Sequence, residues 1–125
     1  MAKLILIIDD DPLIRQLLKS YLSKDYSIEL KSDGQQAIYW LKSGNKPDLI
    51  LLDMEMPEMN GKVFIHRIKT SAIHKNIPVV IMSGSNSNLI KSSFMKAGAA
   101  EYMVKPFQKE TLDNVLNRIF NETNS

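Results

Sequence analysis

Short, uninterrupted apolar runs alternate along the chain with longer segments in which apolar residues recur at helical spacing. The uninterrupted runs are typical of strands buried on both faces, and the helical spacing is typical of helices with one buried face. Five strands are predicted on this basis, at 3–8, 27–31, 48–52, 78–82 and 100–104. Strands that alternate with helices in this way indicate an α/β fold.

A helix is predicted after each of these strands. Asp11 is expected to cap the first helix, and Pro12 to occupy its first turn. The predicted buried face of this helix consists of Leu13, Ile14, Leu17, Leu18, Tyr21 and Leu22. The other helices are predicted to begin at Asp33-Gly34, at Gly61, near Ser87 and at Phe107.

Parallel strands joined by helices need right-handed crossovers, and these place helices on both faces of the sheet. The chain is therefore predicted to form a doubly wound five-stranded parallel sheet, for which the strand order 2-1-3-4-5 is one arrangement. Ligands of such sheets bind at the carboxyl ends of the strands, where the strand order reverses. The polar residues predicted at those ends are Asp9, Asp10, Asp53, Ser83 and Lys105.

Asp53 is the most suggestive of these residues, because it ends an apolar strand and opens the loop 54–61 with a single carboxylate. Each polar residue also has an ordinary structural explanation. Asp11 serves as a helix cap, Asp53 could be a turn residue, and Lys105 could be a solvated residue at a bend. Capping uses only one carboxylate, however, and the other acids of 9–11 repel each other. The set as a whole therefore indicates a functional site.

Composition narrows the function classes. The 125 residues are 44% hydrophobic, which is enough for one core, so a single domain over residues 1–125 is predicted. The formal charge of +2 is spread along the chain, which argues against direct nucleic acid binding. Cysteine is absent, so disulfides and thiolate metal sites are excluded. No apolar run has the length of a membrane span or a signal-peptide core, so we expect a cytoplasmic protein without membrane insertion.

Taken together, these residues resemble the receiver domain of two-component response regulators, and the resemblance covers 3–121. The segments that carry it are 7–11 (IIDDD), 53–61 (DMEMPEMNG), 81–84 (IMSG), 98–99 (GA) and 102–107 (YMVKPF). The resemblance implies the flavodoxin-like, or CheY-like, (βα)5 fold with strand order 2-1-3-4-5. It also implies that the Lys105-Pro106 peptide bond is cis.

The resemblance implies a role for each polar residue at the strand ends. Asp53 would be the phosphoacceptor, forming a 4-aspartylphosphate, and Ser83 and Lys105 would contact the phosphoryl group. Mg²⁺ would be the cofactor, since it prefers oxygen ligands and is commonly held by one or two carboxylates together with phosphate oxygens. Asp10, Asp53 and the backbone carbonyl of Glu55 would bind it directly, and Asp9 would hold it largely through metal-bound water.

The resemblance also implies a switch and its partners. Ser83 and Tyr102 would respond to phosphorylation and change the surface formed by the fourth helix, fifth strand and fifth helix. The phosphoryl donor would be a phosphohistidine on a sensor histidine kinase or a histidine phosphotransfer protein, and a downstream protein target would bind the changed surface. The chain would catalyse only its own phosphorylation and dephosphorylation, so it is predicted to be a switch and not an enzyme.

Three alternatives remain open. A pseudo-receiver would bind partners without phosphorylation, although the complete set of clustered acids argues against it. A phosphohydrolase resembling the haloacid dehalogenase superfamily would use Asp9 as its nucleophile, but Leu13 stands where that family has Thr or Val. A flavodoxin-like flavin binder would place its phosphate loop at 9–11, where three carboxylates would repel the phosphate.

The remaining candidate residues are predicted to have no role in the site. His66 and His74 lack the spacing of a metal-binding pair and are expected at the surface. Tyr39 and Trp40 are adjacent on one helix and cannot share a buried face, so Tyr39 is predicted to be exposed.

Overall fold

The computed structural model describes residues 2–56 and 59–123. Its strands are β1 (Leu4–Ile8), β2 (Ser27–Lys31), β3 (Leu49–Asp53), β4 (Val79–Ser83) and β5 (Glu101–Val104). Its helices are α1 (Pro12–Leu22), α2 (Gly34–Lys42), α3 (Gly61–Lys69), α4 (Asn88–Ala97) and α5 (Lys109–Thr123). The predicted strands are confirmed, with ends displaced by at most one residue. None of the helices in the described part of the chain combines the length and apolar character that crossing a membrane requires.

The described strands form one parallel sheet in the order β2-β1-β3-β4-β5, which confirms the predicted doubly wound α/β architecture. The register aligns the carboxyl ends of neighbouring strands, because Ile8 pairs with Leu52 and Ser83 pairs with Val104. The strand order reverses between β1 and β3, which is where such sheets bind ligands. The edge of the sheet next to this point carries Asp9, Asp53, Ser83 and Lys105.

Each face of the sheet is covered by its own helical layer. Strand β1 shows the alternation: Leu6 and Ile8 pack in the layer of α2, α3 and α4, whereas Ile5 and Ile7 pack in the layer of α1 and α5. All four side chains are fully buried. Burying an aliphatic side chain of this size contributes about 1.5–3 kcal/mol to folding, so the strands form a firm base for the loops at their ends.

Side-chain caps fix where the helices begin. Asp11 accepts a hydrogen bond of 2.9 Å from a backbone N–H in the first turn of α1, as predicted. Asp33, Asn60 and Ser87 cap α2, α3 and α4 in the same way. Gly98 caps the carboxyl end of α4, and its φ of 115° lies in the left-handed region that favours glycine. A cap contributes about 1 kcal/mol, so these residues also define the loops between strands and helices.

The predicted buried face of α1 is wrong for half of its residues. Leu18 and Leu22 are buried, but Leu13, Leu17 and Tyr21 are 75%, 45% and 37% exposed. These three residues are four positions apart and form one strip along the helix. Since α1 packs on the sheet in the same layer as α5, only the strip that faces the core is covered. We call Leu13, Leu17 and Tyr21 the α1 patch.

The prediction that His74 lies at the surface is wrong. Its ring is buried, with Nδ1 3.2 Å from the Ser71 hydroxyl and Nε2 3.3 Å from the Asn45 carbonyl oxygen. These contacts join the segment before β4 to the segment before β3, a packing that residue spacing does not reveal. His66 and Tyr39 are exposed, as predicted.

Candidate functional site

The carboxyl edge of the sheet brings together the polar residues predicted at the strand ends. Asp9, Asp53 and Ser83 are buried there, Asp10 is exposed, and the Lys105 side chain is 26% exposed. One oxygen from each of the three aspartates lies within 4.8 Å of the others. We call these five residues the acidic cleft.

Asp53 lies at the centre of the acidic cleft, with only 2% of its surface exposed. Its Oδ1 accepts a hydrogen bond from the ammonium of Lys105 at 2.9 Å and another from the backbone N–H of Glu55 at 3.1 Å. Among the described residues, both hydrogen bonds to this carboxylate end on Oδ1. The carboxylate is therefore held in one orientation through Oδ1, and Oδ2 remains available for chemistry.

Asp9 is fully buried, and its two oxygens have different surroundings. Oδ1 accepts a hydrogen bond of 2.9 Å from the backbone N–H of Asp11, whereas Oδ2 accepts none from the described residues. The ammonium of Lys105 is 3.7 Å from Oδ2, an ion-pair distance that is too long for a hydrogen bond. Burial raises the pKa of the Asp9 carboxyl from 3.8 to about 6, and the negative charge of Asp53 adds to the rise.

The acidic cleft fits a hard divalent cation. Its three carboxylates supply only oxygen ligands, which is the donor type that Mg²⁺ prefers. The Oδ2 of Asp9, which accepts no hydrogen bond from the described residues, is an independent indication, because such a buried carboxylate oxygen is costly unless something else satisfies it. The cation site expected from the sequence is thus compatible with the geometry of Asp9, Asp10 and Asp53.

Lys105 provides the positive charge opposite the aspartates. Burial alone would lower the pKa of its ammonium, but the hydrogen bond and the charge of Asp53 outweigh burial and raise the pKa. The backbone N–H of Lys105 donates to the Ser83 carbonyl at 2.6 Å, which fixes the end of β5 against β4. The Lys105-Pro106 peptide bond is cis, as the resemblance implied.

Ser83 is fully buried at the end of β4. Its hydroxyl oxygen accepts a hydrogen bond of 3.0 Å from the backbone N–H of Ser85, and the hydroxyl donates to the Met54 sulfur at 3.4 Å. The neighbouring Gly84 leaves open space, since a Cβ at that position would meet only a Glu55 carboxylate oxygen at 3.6 Å. The loop that begins at Gly84 therefore has open space beside the buried Ser83 hydroxyl.

Two contacts of the acidic cleft were not predicted. Met54 is the partner of the Ser83 hydroxyl, and Arg15 donates a hydrogen bond of 2.7 Å from its guanidinium to the Asp9 backbone carbonyl. The Arg15 side chain is half-buried on α1. Its position one helical turn after Asp11 was the available signal, because that spacing directs a side chain back over the start of the helix.

Tyr102 links β5 to the loop that follows Ser83. Its hydroxyl donates a hydrogen bond of 2.8 Å to the Ser85 carbonyl, and its ring centroid is 6.2 Å from that of Phe94. The side chain is half-buried between the loop and α4. A residue expected from its motif to be a switch is therefore bonded directly to the segment that adjoins the acidic cleft.

An apolar hollow of about 340 Å³ lies beside the acidic cleft. Leu17 and Tyr21 of the α1 patch form one wall, and the segment 105–107 forms another. Lys105 thus borders both the hollow and the acidic cleft.

Comparison with known proteins is consistent with this geometry. The family model of the response regulator receiver domain matches residues 5–117. The chemotaxis response regulator CheY4 of Vibrio cholerae is 29% identical, with a TM-score of 0.89 over 95% of this chain and 99% of that one. The receiver domain of the Francisella response regulator 1452 is 28% identical, with a TM-score of 0.87 over 97% of this chain and 98% of that one.

Curated relatives include longer proteins. The response regulator MprA of Mycobacterium sp. (strain KMS) is 33% identical over 86% of this chain, which spans 46% of MprA. The transcriptional regulatory protein SrrA of Staphylococcus aureus (strain NCTC 8325) is 36% identical over 86% of this chain, which spans 43% of SrrA. The chain thus spans less than half the length of these relatives. With the family model matching most of the sequence, the chain belongs to the response regulator receiver domain family, the signalling modules of two-component systems.

Proposed function

We propose that the protein accepts a phosphoryl group on Asp53 from a phosphohistidine of a sensor histidine kinase or a histidine phosphotransfer protein. The observation that carries this proposal is the environment of Asp53. Its carboxylate is buried, held through Oδ1 by Lys105 and the Glu55 N–H, and placed within 4.8 Å of two further carboxylates. A carboxylate fixed in this way is a competent nucleophile toward phosphorus.

The proposed transfer is a single displacement. Oδ2 of Asp53 forms the new P–O bond while the P–N bond of the phosphohistidine breaks, and the departing ring nitrogen keeps the electron pair of that bond. The imidazole leaves neutral if its other nitrogen is already protonated. Because Oδ1 is fixed by two hydrogen bonds, Oδ2 keeps one direction of attack, which lowers the entropic cost of reaching the transition state.

The protein residues proposed to hold Mg²⁺ are the carboxylates of Asp9, Asp10 and Asp53, together with the backbone carbonyl of Glu55. The Asp9 Oδ2, which accepts no hydrogen bond from the described residues, and the oxygen-only donor set support this assignment. When bound, Mg²⁺ would neutralise the carboxylates and coordinate a phosphoryl oxygen, which lowers the electrostatic cost of bringing a second anion into the cleft.

Lys105 and Ser83 are proposed to contact the phosphoryl oxygens. The Lys105 ammonium already lies 2.9 Å from Asp53 Oδ1, so a small shift of this flexible side chain would bring it to a phosphoryl oxygen. The Ser83 hydroxyl would exchange its weak contact with the Met54 sulfur for a charge-assisted hydrogen bond. Both residues would thereby stabilise charge that develops in the transition state.

The donor is proposed to dock on the α1 patch. All three residues of this strip, Leu13, Leu17 and Tyr21, are exposed, and Leu17 and Tyr21 line the hollow that reaches Lys105. Exposed apolar residues next to a reactive carboxylate are suited to hold a partner while its phosphohistidine enters the cleft. We expect the site of action to be the cytoplasm, where kinases obtain phosphoryl groups from ATP.

Replacing Leu13 and Leu17 with alanine is expected to slow transfer from a phosphorylated protein donor about tenfold, because apolar docking area is lost. Transfer from a small phosphodonor such as acetyl phosphate should keep its rate, since that reaction needs no docking. The matched control is Leu89→Ala, which removes an 85% exposed leucine on α4. Equal slowing with both kinds of donor, or by the control, would argue against docking on α1.

The switch is proposed to run from Ser83 to Tyr102. A phosphoryl group on Asp53 would attract the Ser83 hydroxyl and shift the loop 84–87. Tyr102 is bonded to this loop through the Ser85 carbonyl, so its ring and the surface of α4, β5 and α5 would shift with it. A downstream protein target would bind the surface that phosphorylation favours, as in any population shift between two conformers.

Tyr102→Phe is expected to increase the amide exchange rates of Ser85 and Ser87 about fivefold, because one hydrogen bond of about 1 kcal/mol no longer holds the loop. The Ser85 amide bonds to the Ser83 hydroxyl and the Ser87 amide bonds to the Ser85 hydroxyl, so both report on opening of the loop. The control is Tyr39→Phe on α2, where the tyrosine is 77% exposed. Unchanged exchange in the Tyr102 variant would remove the hydroxyl from the proposed switch.

Incubation with acetyl phosphate and Mg²⁺ tests the proposed function as a whole. We expect one phosphoryl group per chain by intact mass, and none when EDTA replaces Mg²⁺. The closest alternative is a pseudo-receiver that binds partners without being modified, and the absence of any phosphoryl group from both small and protein donors would favour it.

A further inference from the structure

The helices on one side of the sheet have a one-sided charge pattern. Helices α2, α3 and α4 contain no Asp or Glu, and their Lys and Arg residues are Lys42, Lys62, Arg67, Lys69, Lys91 and Lys96. Within 2–56 and 59–123, none of these side chains forms an ion pair. Lys69 instead donates to backbone carbonyls. The other cations give this helical layer a positive surface that invites an anionic partner.

An apolar groove runs between α2 and α3 within this positive surface. Its larger part, about 590 Å³, lies at the carboxyl ends of the two helices. Its smaller part, about 220 Å³, continues toward Tyr39 and Met59. Ile38, Lys42 and Arg67 line both parts, so the two hollows form one continuous depression. We call this depression the α2–α3 groove.

The groove has an apolar floor and a basic rim. Its aliphatic lining residues are Ile38, Leu41, Ile68 and Ile73. Ile73 at one end is 68% exposed and Tyr39 at the other end is 77% exposed, so both side chains can contact a ligand that occupies the groove. Lys42 and Arg67 lie between these ends and are exposed. This arrangement matches a ligand with an apolar face flanked by negative charge.

The α2–α3 groove is separate from the acidic cleft. No residue of the cleft lines either hollow. Helices α2 and α3 run antiparallel to the strands, so their carboxyl ends lie at the opposite edge of the sheet from Asp53. The groove also excludes the α1 patch and Tyr102. A ligand in the groove would leave the phosphoacceptor and the proposed switch surface accessible.

We propose that the α2–α3 groove binds an acidic amphipathic helix of a partner protein, whether or not Asp53 is phosphorylated. The apolar face of such a helix would fill the floor, and its flanking carboxylates would pair with Lys42 and Arg67. A nucleic acid fits less well, because its phosphates would face an aliphatic floor. Binding here would tether the protein to a partner constitutively while the acidic cleft remains free to react.

The test uses a synthetic helical peptide with leucines on one face and glutamates flanking them. Amide chemical shifts of the whole chain should change around the groove, and the dissociation constant from anisotropy should be the same with and without acetyl phosphate and Mg²⁺. The double variant Lys42→Glu/Arg67→Glu should weaken binding about tenfold. The matched control is Lys91→Glu/Lys96→Glu, on α4 outside the groove. It should change the affinity for the peptide less than about twofold, because salt screens the interaction between exposed charges that are far apart.

Several outcomes would overturn the proposal. One is that the peptide changes amide chemical shifts only outside the groove. Another is that the α4 control weakens peptide binding as much as the groove variant does. A third is that a peptide with lysines in place of the glutamates binds with the same affinity. Tighter binding of anionic phospholipid vesicles or of duplex DNA, with competition against the peptide, would assign the groove to another class of partner. Dimerisation through the groove, detected by sedimentation, would assign it to a second copy of the chain.

Ile73→Ser provides a second variant, since this exposed side chain can be replaced without disturbing the core. Unchanged affinity of this variant for the peptide would also count against binding in the groove.

Discussion

Asp53→Asn is expected to abolish phosphorylation by acetyl phosphate and by protein donors, with a loss of at least about a hundredfold in rate. The amide has no anionic oxygen to attack phosphorus, and it would also lose the ion pair with Lys105 at 2.9 Å. Quench-flow or gel separation of the phosphorylated form, combined with intact mass, measures the rate.

Two further variants show whether the loss is specific to Asp53. Asp25→Asn, at an exposed position outside the acidic cleft, should react at the rate of the unmodified protein. Asp9→Asn should react more slowly but still incorporate one phosphoryl group, because Asp9 is proposed to hold the cation and not to be the acceptor. The reverse pattern, with an inert Asp9 variant and a reactive Asp53 variant, would favour the phosphohydrolase alternative.

Asp9→Asn is also expected to raise the free energy of unfolding at pH 7.5, in EDTA, by about 2–3 kcal/mol. Burial and the negative charge of Asp53 raise the Asp9 pKa to about 6. At pH 7.5 the buried Asp9 carboxyl is therefore ionised, and its charge destabilises the folded protein. The amide cannot ionise and removes that cost. Urea denaturation at constant ionic strength measures the change, and Asp25→Asn should show none of it.

The Asp9 carboxyl also makes the free energy of unfolding depend on pH. Since its pKa is higher in the folded protein than in the unfolded chain, the folded state binds more protons between about pH 4 and about pH 6. The Asp9 contribution to the free energy of unfolding therefore falls as the pH rises through this window and stays low above it. Millimolar Mg²⁺ should restore stability above pH 6, because a cation that binds only the folded state stabilises it by mass action.

A comparison of Asp9→Asn with the unmodified protein isolates this contribution from those of other acids. The difference in free energy of unfolding between the two proteins should grow from pH 4 to pH 7 in EDTA and shrink when Mg²⁺ is added. A difference that stays constant from pH 4 to pH 7 would contradict the raised Asp9 pKa. A difference that does not change when Mg²⁺ is added would contradict the assignment of Asp9 to the cation site.

The sheet and the acidic cleft could be predicted from the sequence because both depend on strands. A buried parallel strand is a short apolar run, and the residue after the run must lie at the carboxyl edge. Asp9 after β1, Asp53 at the end of β3, Ser83 at the end of β4 and Lys105 after β5 are therefore placed together once the strand order is known. These residues are far apart in the sequence, but the pairing of the strands brings them close together in space.

The features that could not be predicted depend on how whole elements pack. Periodicity identifies an apolar strip on α1, yet the exposure of Leu17 depends on where the helix rests on the sheet. The hydrogen bond from Tyr102 to Ser85 and the burial of His74 each join segments that are distant in sequence. The α2–α3 groove could not be predicted either. The sequence shows the basic residues of α2 and α3, but the depth of the groove depends on how the two helices pack.

The most direct test of the central claim is to locate the phosphoryl group chemically. The protein is phosphorylated with acetyl phosphate and Mg²⁺, reduced with borohydride, which converts an aspartyl phosphate to homoserine, and sequenced by tandem mass spectrometry. We expect homoserine at position 53 and at no other acidic position. Homoserine at position 9 or 10, or phosphate retained on a serine, threonine or histidine, would contradict the assignment of Asp53 as the phosphoacceptor.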